Sequence, residues 1–79
     1  MTPDQIFAVI RSNLLEVLPE LTESQITLDR SMRELGANSI DRMDVVIAAQ
    51  EDLGIKVPAN ALTQATDLKS LVAVFGEYV

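Results

Sequence analysis

Apolar residues recur every three or four positions in three segments of this chain, which is the spacing of one face of an α-helix. The first segment follows Thr2, a good N-terminal cap, and predicts a helix over residues 3–17. The second predicts a helix from Ser39 or Ile40 to Leu53, because capping residues precede it and a glycine follows it. These periods predict an all-α fold.

A third apolar segment and a long unpatterned stretch complete the predicted fold. Thr66 is expected to cap the third main helix. The apolar side of this helix consists of Leu68, Leu71, Val72, Phe75 and Val79. One irregular turn is predicted over residues 60–65, and residues 19–38 form a loop that Ile26 and Leu28 are expected to pin to the core. The prediction is a four-helix bundle of three main helices and one short helix, with a long first loop.

Composition narrows the possible functions. The 79 residues suffice for one domain, residues 1–79, and a hydrophobic content of 48% suffices for a compact core. Cysteine and histidine are absent, so we expect no disulfide, no metal site and no histidine general base. The net charge of −6 disfavours nucleic acid and anionic membranes and favours a partner with a basic patch. We expect a cytoplasmic location, because the sequence has neither a membrane span nor the basic start of a signal peptide. A monomer is the default expectation for so acidic a chain.

One segment, just before the second helix, has a chemical pattern. A capping-box pattern from Ser31 to Glu34 predicts a short turn before Gly36, and a small residue, Asn38 and Ser39 follow. This order presents the Ser39 hydroxyl at a helix N-terminus, where free N–H groups and the helix dipole favour an anion such as a phosphate ester. The local sequence alone favours a simpler role for Ser39, that of an N-terminal cap. No catalytic residue is predicted, because the chain lacks both histidine and the glycine pattern of a nucleophile elbow.

Two blocks of the sequence resemble acyl carrier proteins. Residues 35–41, Leu-Gly-Ala-Asn-Ser-Ile-Asp, resemble the Leu-Gly-x-Asp-Ser-Leu-Asp motif of that family. Residues 51–58, Glu-Asp-Leu-Gly-Ile-Lys-Val-Pro, look like its Glu-Glu-Phe-Gly-Ile-x-Ile-Pro segment at the same spacing. The resemblance implies a four-helix bundle and a phosphopantetheinyl transferase that joins 4'-phosphopantetheine from coenzyme A to Ser39. The thiol of that arm would carry acyl groups as thioesters, and the chain would be a substrate of its partners and not an enzyme.

The second predicted helix divides into two sectors when its residues are placed at intervals of about 100°. The predicted core sector consists of Met43, Val45, Val46, Ala49 and Leu53. The other sector consists of Ile40, Asp41, Asp44, Ile47, Ala48 and Glu51. The resemblance implies that this mixed sector docks partner enzymes, since its acids would steer a basic partner and its isoleucines would supply desolvated contacts. Without the resemblance, a solvated face with two half-buried isoleucines is the favoured interpretation.

Asn38 and Arg42 depart from the usual pattern of fatty-acid carriers, and with them residues 35–42 are most similar to the free-standing donor carriers of polyketide β-branching cassettes. This resemblance implies an acetyl donor to a hydroxymethylglutaryl-synthase-like enzyme, loaded by an acyltransferase or a decarboxylating ketosynthase. We hypothesise that Asn38 and Arg42 help that enzyme to distinguish donor from acceptor carriers. Arg42 opposes the helix dipole and has three possible partners: the phosphate of the arm, an acid of the partner, or a nearby acid such as Asp29 or Glu34.

Three other functions fit the sequence. The chain could be a fatty-acid or other polyketide carrier, or a carrier of aminoacyl groups, although its strong acidity disfavours the latter. From a different class, it could be a helical protein-interaction module without an arm. The identity of the acyl group is set by the loading enzyme and is not encoded in recognisable residues.

Overall fold

Five helical segments and their connections make up the chain, and the computed structural model describes all residues 1–79. The segments are α1 (Pro3–Val17), the 3₁₀ helix η1 (Glu23–Gln25), α2 (Ser39–Leu53), α3 (Ala59–Leu62) and α4 (Leu68–Gly76). The predicted all-α bundle of three main helices and one short helix, with a long first loop, is confirmed. None of these helices combines the length and the hydropathy that crossing a membrane requires.

The predicted boundaries of α1 and α2 are confirmed, because local interactions fix them. The Gln5 N–H donates to Thr2 Oγ1 at 3.2 Å, and the Thr2 N–H donates to Gln5 Oε1 at 2.8 Å. This reciprocal capping box starts α1 at Pro3. At the other end of α2, Gly54 adopts a left-handed conformation with φ of 67°, and its N–H donates to carbonyl groups of the last turn.

The N-terminal cap of α4 was predicted wrongly. Asp67, and not Thr66, caps the helix, because Asp67 Oδ1 accepts a hydrogen bond from the Ser70 N–H at 2.8 Å. The Thr66 N–H donates to Ser70 Oγ at 2.9 Å, so Thr66 supports the same turn from one residue further out. The helix also ends earlier than predicted, at Gly76, and Val79 is exposed beyond it.

The core is aliphatic and lies between α1, α2 and α4. Ile10, Leu14, Val45, Ala49 and Phe75 are fully buried at its centre, and Phe75 is the one buried aromatic residue. α1 packs against both other long helices, which makes it the central element of the bundle. Most of the apolar surface that stabilises so small a domain is therefore shared between α1 and its two neighbours.

One buried polar residue, Asn13, joins α1 to α2. Its side chain is 5% exposed, and its Nδ2 donates to the Val9 carbonyl at 2.9 Å and to Asp52 Oδ2 at 3.0 Å. Both amide hydrogens are thereby satisfied, as burial of a polar group requires. The apolar periodicity of α1 gave no signal for this link, because its partner on α2 is distant in the sequence.

Backbone hydrogen bonds hold the long first connection against the start of α4. The Leu68 N–H donates to the Arg30 carbonyl and the Lys69 N–H donates to the Leu28 carbonyl, both at 2.9 Å. Ile26 is buried as predicted, whereas the Leu28 side chain is 40% exposed and the prediction that it reaches the core was wrong. Leu28 fixes the loop through its backbone carbonyl, which a hydrophobic pattern does not reveal.

Candidate functional site

The segment that leads into α2 is held in a fixed shape. The Ser31 N–H donates to Glu34 Oε1 at 3.0 Å and the Glu34 N–H donates to Ser31 Oγ at 3.1 Å, which confirms the predicted turn. Gly36 follows with φ of 100°, a conformation that side-chain-bearing residues rarely adopt. Leu35 and Ala37, on either side of it, are buried in the core. The chain therefore enters α2 from a position anchored on both sides of the glycine.

Asn38 is the N-terminal cap of α2. Its Oδ1 accepts the Asp41 N–H at 2.8 Å, and the Asp41 carboxylate accepts the Asn38 N–H at 3.2 Å. This capping box makes Ser39 the first residue of the helix itself. The interpretation that Ser39 serves only as the cap is therefore wrong, because the neighbouring asparagine performs that role.

The Ser39 hydroxyl stands at the solvent-exposed start of α2. In the structure it accepts a hydrogen bond from Arg42 Nη2 at 3.3 Å. The Ser39 and Ile40 N–H groups have no acceptor in the structure and lie at the positive end of the helix dipole. A guanidinium group stays protonated and cannot remove a proton from the hydroxyl. The arrangement thus attracts an anion to Ser39 without activating the serine as a nucleophile.

Five residues of α2 form a continuous exposed surface, which we call the α2 face: Ile40, Met43, Asp44, Ile47 and Glu51. Ile40, Met43 and Ile47 are 71%, 62% and 48% exposed, and the two acids are exposed beside them. The assignment of Met43 to the core was wrong. At about 100° per residue, Met43 lies about 40° from Ile47 around the helix axis and about 160° from Val45. The angular positions alone therefore place Met43 with the exposed Ile47 and not with the buried Val45.

The remaining residues predicted for docking do not belong to the α2 face. Asp41 and Ala48 are half-buried at its edge, and the Asp41 carboxylate is engaged by the Asn38 N–H. Arg42 is half-buried and lies about 160° from Ile40 around the axis, on the opposite side of the helix. The side-chain hydrogen bond of Arg42 goes to Ser39, whereas Asp29 and Glu34 are bonded to other residues.

A groove of about 740 Å³ opens beside Arg42, between α2, the first connection and the segment from α3 to α4. Arg42 and Val46 line its α2 side, and Leu62 and Leu71 line the side across from it. Asp67 also lines the groove, and the hydrogen bonds from the Ser70 N–H and hydroxyl lower the pKa of the Asp67 carboxyl. The sequence did not reveal this groove, because segments far apart in the chain build it.

Comparisons with known proteins agree with this geometry. The chain matches the phosphopantetheine attachment site family over residues 8–75. The chain belongs to the acyl carrier protein family. It is 34% identical over 79 residues to the polyketide biosynthesis acyl-carrier-protein AcpK of Bacillus subtilis (strain 168), covering 100% of this chain and 96% of that relative. It is 43% identical over 56 residues to the acyl carrier protein of Treponema denticola, covering 70% of each chain.

A solved structure shares the fold of this carrier. It is a chain of the crystal structure of the curacin biosynthetic pathway HMG synthase in complex with acetyl donor-ACP. The TM-score is 0.88 and the sequence identity is 27%, over 98% of this carrier and 99% of the matched chain. Because 79 residues span nearly all of the matched chain, that chain is the carrier of the complex and not the synthase.

The family identifies the prosthetic group as covalently attached 4'-phosphopantetheine, as the sequence predicted. The residues at the start of α2 fit its phosphate. Ser39 offers a hydroxyl for an ester bond, and the free N–H groups of the first turn and the Arg42 guanidinium supply positive charge beside it. No carboxylate is bonded to the hydroxyl, and the carboxylate of the neighbouring Asp41 accepts the Asn38 N–H.

Proposed function

We propose that this carrier holds acyl groups as thioesters on a 4'-phosphopantetheine arm joined to Ser39. One observation supports Ser39 as the attachment site. Ser39 is exposed at the first position of α2, and its hydroxyl is not needed as a cap because Asn38 caps the helix. We also infer that residues 1–79 act as one monomeric carrier domain, and sedimentation as a dimer would contradict this. A cytoplasmic location stays a prediction.

Attachment is a group transfer that a phosphopantetheinyl transferase would catalyse. A bond forms between Ser39 Oγ and a phosphorus of coenzyme A, the phosphoanhydride bond breaks, and an adenosine bisphosphate leaves while the serine proton passes to a base. Arg42 cannot be that base, so the transferase has to supply it. Once bound, the arm supplies a thiol that holds acyl groups as thioesters. The carrier is then a substrate of its partners and not an enzyme.

Intact-protein mass spectrometry tests the attachment. Incubation with coenzyme A and a broad-specificity transferase should add the mass of one phosphopantetheinyl group to the wild-type chain. Ser39→Ala should gain nothing, whereas Ser12→Ala should gain the full mass, because Ser12 is an exposed serine in the middle of α1. No gain in the wild type would support the interaction module without an arm, and a gain that survives Ser39→Ala would contradict attachment at Ser39.

For the acyl group and the partner, we propose acetyl delivery to a hydroxymethylglutaryl-synthase-like enzyme, with loading by an acyltransferase or a decarboxylating ketosynthase. Similarity over 98% of the chain to the carrier in the acetyl donor complex supports this role, as does the full-length similarity to a polyketide carrier. Changing Asn38 to Asp and Arg42 to Thr together should slow acetyl transfer to the synthase and leave arm attachment intact. Unchanged transfer kinetics would remove the hypothesis that these two residues mark a donor.

The α2 face is proposed as the docking surface of the carrier. Its apolar side chains are not covered by another part of the chain, and its two acids would steer a basic enzyme surface. Met43→Ser should raise the KM of the synthase for the loaded carrier and leave the mass gain unchanged. Leu28→Ser is the matched control, because Leu28 is also exposed but lines a different groove, between α1 and α4. Equal effects of the two variants would contradict docking through the α2 face.

A second candidate function is that of a fatty-acid-type carrier. The higher identity of 43% to the Treponema denticola carrier, although confined to 56 residues, favours it. The loaded forms distinguish the two roles. An acetyl donor should react with the synthase and resist loading by malonyl-transfer enzymes, whereas a fatty-acid carrier should accept malonyl groups and support extension. An aminoacyl carrier would instead be loaded by an adenylating enzyme.

A further inference from the structure

Arg42 occupies a position that is unfavourable for a cation in the unmodified carrier. It lies one helical turn after Ser39, in the first turn of α2, where the helix dipole repels positive charge. No carboxylate compensates for it. The neighbouring Asp41 accepts the Asn38 N–H, and Asp67, which lines the same groove, accepts the Ser70 N–H. The hydrogen bond of the guanidinium goes to the Ser39 hydroxyl, at 3.3 Å.

We propose that Arg42 binds the phosphodiester that joins the arm to Ser39, an inference that rests on the proposed attachment at Ser39. Ser39 Oγ already lies within hydrogen-bond distance of Arg42 Nη2. In the modified carrier, Ser39 Oγ is bonded to the phosphorus, so the two non-bridging oxygens on that phosphorus lie close to the guanidinium group as well. A guanidinium group matches two such oxygens with two parallel N–H donors. The phosphate would also neutralise the conflict between Arg42 and the helix dipole.

The same contact would set the side of α2 from which the arm departs. Arg42 lines the groove between α2 and α4 and lies on the opposite side of the helix from Ile40. A phosphate held by Arg42 is thereby drawn towards the groove, which Met43 and Ile47 of the α2 face also line, and away from Ile40. The carrier could then present Ile40, the most exposed of its apolar docking residues, to a partner without the base of the arm covering it. Arg42 is in this sense a positioning residue.

A thermodynamic cycle over apo and holo forms of wild type and R42Q isolates this interaction. In the apo form, R42Q should be at least as stable as wild type, because it removes a cation that opposes the dipole. Attachment of the arm should favour folding of the wild type over R42Q by a factor of about two to five in the folding equilibrium constant. High salt should reduce this factor, and the ³¹P resonance of the phosphodiester should differ between wild type and R42Q.

Two variants sharpen the comparison. R33Q is the matched control, since Arg33 is an exposed arginine that lines the same groove and has no bond to Ser39. R33Q should therefore behave as wild type in the cycle and in the ³¹P spectrum. R42K keeps the charge without the planar fork and should fall between wild type and R42Q. It also replaces R42Q in the comparison should the transferase modify R42Q too slowly.

The outcomes separate this inference from the proposed function. A wild-type chain that gains no mass would overturn attachment at Ser39, and the role of Arg42 with it. A different set of results would overturn the role of Arg42 alone. In that case every variant gains the full mass, the arm affects the folding of wild type and R42Q equally, and their ³¹P shifts are identical. A holo-specific and salt-sensitive stabilisation that R33Q retains and R42Q loses would support the contact.

Discussion

Separate alanine substitutions of Asn38 and Ser39 are the sharpest test of the site geometry. Asn38 Oδ1 satisfies an N–H of the first turn, whereas the Ser39 side chain satisfies none. Asn38→Ala should therefore cost about 1 kcal/mol of unfolding free energy, within a range of about 0.5–2 kcal/mol for lost caps. Ser39→Ala should be neutral or stabilising by up to about 0.5 kcal/mol, because alanine has the higher helix propensity.

Thermal and urea unfolding of the apo proteins, followed by circular dichroism, measure this difference. A loss of 1 kcal/mol corresponds to a fall in Tm of roughly 4–8 °C for a domain of this size. Asn38→Asp is the control, because it keeps the capping oxygen and should retain the stability that Asn38→Ala loses. The variants change only one exposed side chain each, so their folded structures should remain comparable.

The opposite order of stabilities would refute this account of the site. If Ser39→Ala lost about 1 kcal/mol and Asn38→Ala lost nothing, serine would be the cap. Its hydroxyl would then be engaged by the helix, and an arm attached there would have to displace a stabilising bond. Equal losses in both variants would mean that the two side chains share the role, and the free hydroxyl on which the proposed attachment depends would not exist.

Three further predictions concern stability. Gly36→Ala should lower the free energy of unfolding by about 1–3 kcal/mol, because the residue has a φ of 100°, although no atom lies near the added Cβ. Gly76→Ala should lose nothing in the same urea titration, because Gly76 is helical and its added Cβ would make only an ordinary contact. Asn13→Ala should lose about 1–3 kcal/mol, since it removes the bond to the α2 carboxylate, and its exposed neighbour Ser12→Ala should stay within about 0.5 kcal/mol of wild type. The pKa of the Asp67 carboxyl is lowered from 3.8, chiefly by the hydrogen bond from the Ser70 N–H, so its stabilising effect is present above that pH and is lost as pH falls through the folded-state pKa. Asp67→Asn keeps the cap and should flatten the acid side of the stability profile, and an unchanged profile would contradict this assignment.

The sequence predicted helix boundaries well where a single good capping residue was present. Thr2 with Gln5 at the start of α1 and Gly54 at the end of α2 are of this kind. The cap of α4 was missed because Thr66 and Asp67 are both good caps, and Ser70 decides between them. The local sequence offered two candidate caps and did not show which of them the helix uses.

The site was only partly accessible from sequence, and the missing parts depend on side-chain direction. The resemblance to acyl carrier proteins singled out Ser39 from its neighbours. It left open whether Ser39 or Asn38 caps the helix, which depends on the exact turn at which the chain becomes helical. The contact of Arg42 with Ser39 and the groove beside it needed the fold, because the first connection, α3 and α4 close the groove opposite α2.

The distribution of buried residues over the helices supports a docking role for α2. This helix of 15 residues buries only Val45 and Ala49, whereas α4 buries four of its nine residues. Besides this packing against α1, α2 is held by its caps and by polar links such as the hydrogen bond from the Val57 N–H to Gln50 Oε1 at 2.7 Å. Folding therefore does not require large apolar residues on the outer side of α2, yet Ile40 and Met43 are among the most exposed apolar side chains of the chain. Exposed apolar surface beside a free hydroxyl has its simplest physical explanation in a partner that covers it whenever the arm is delivered.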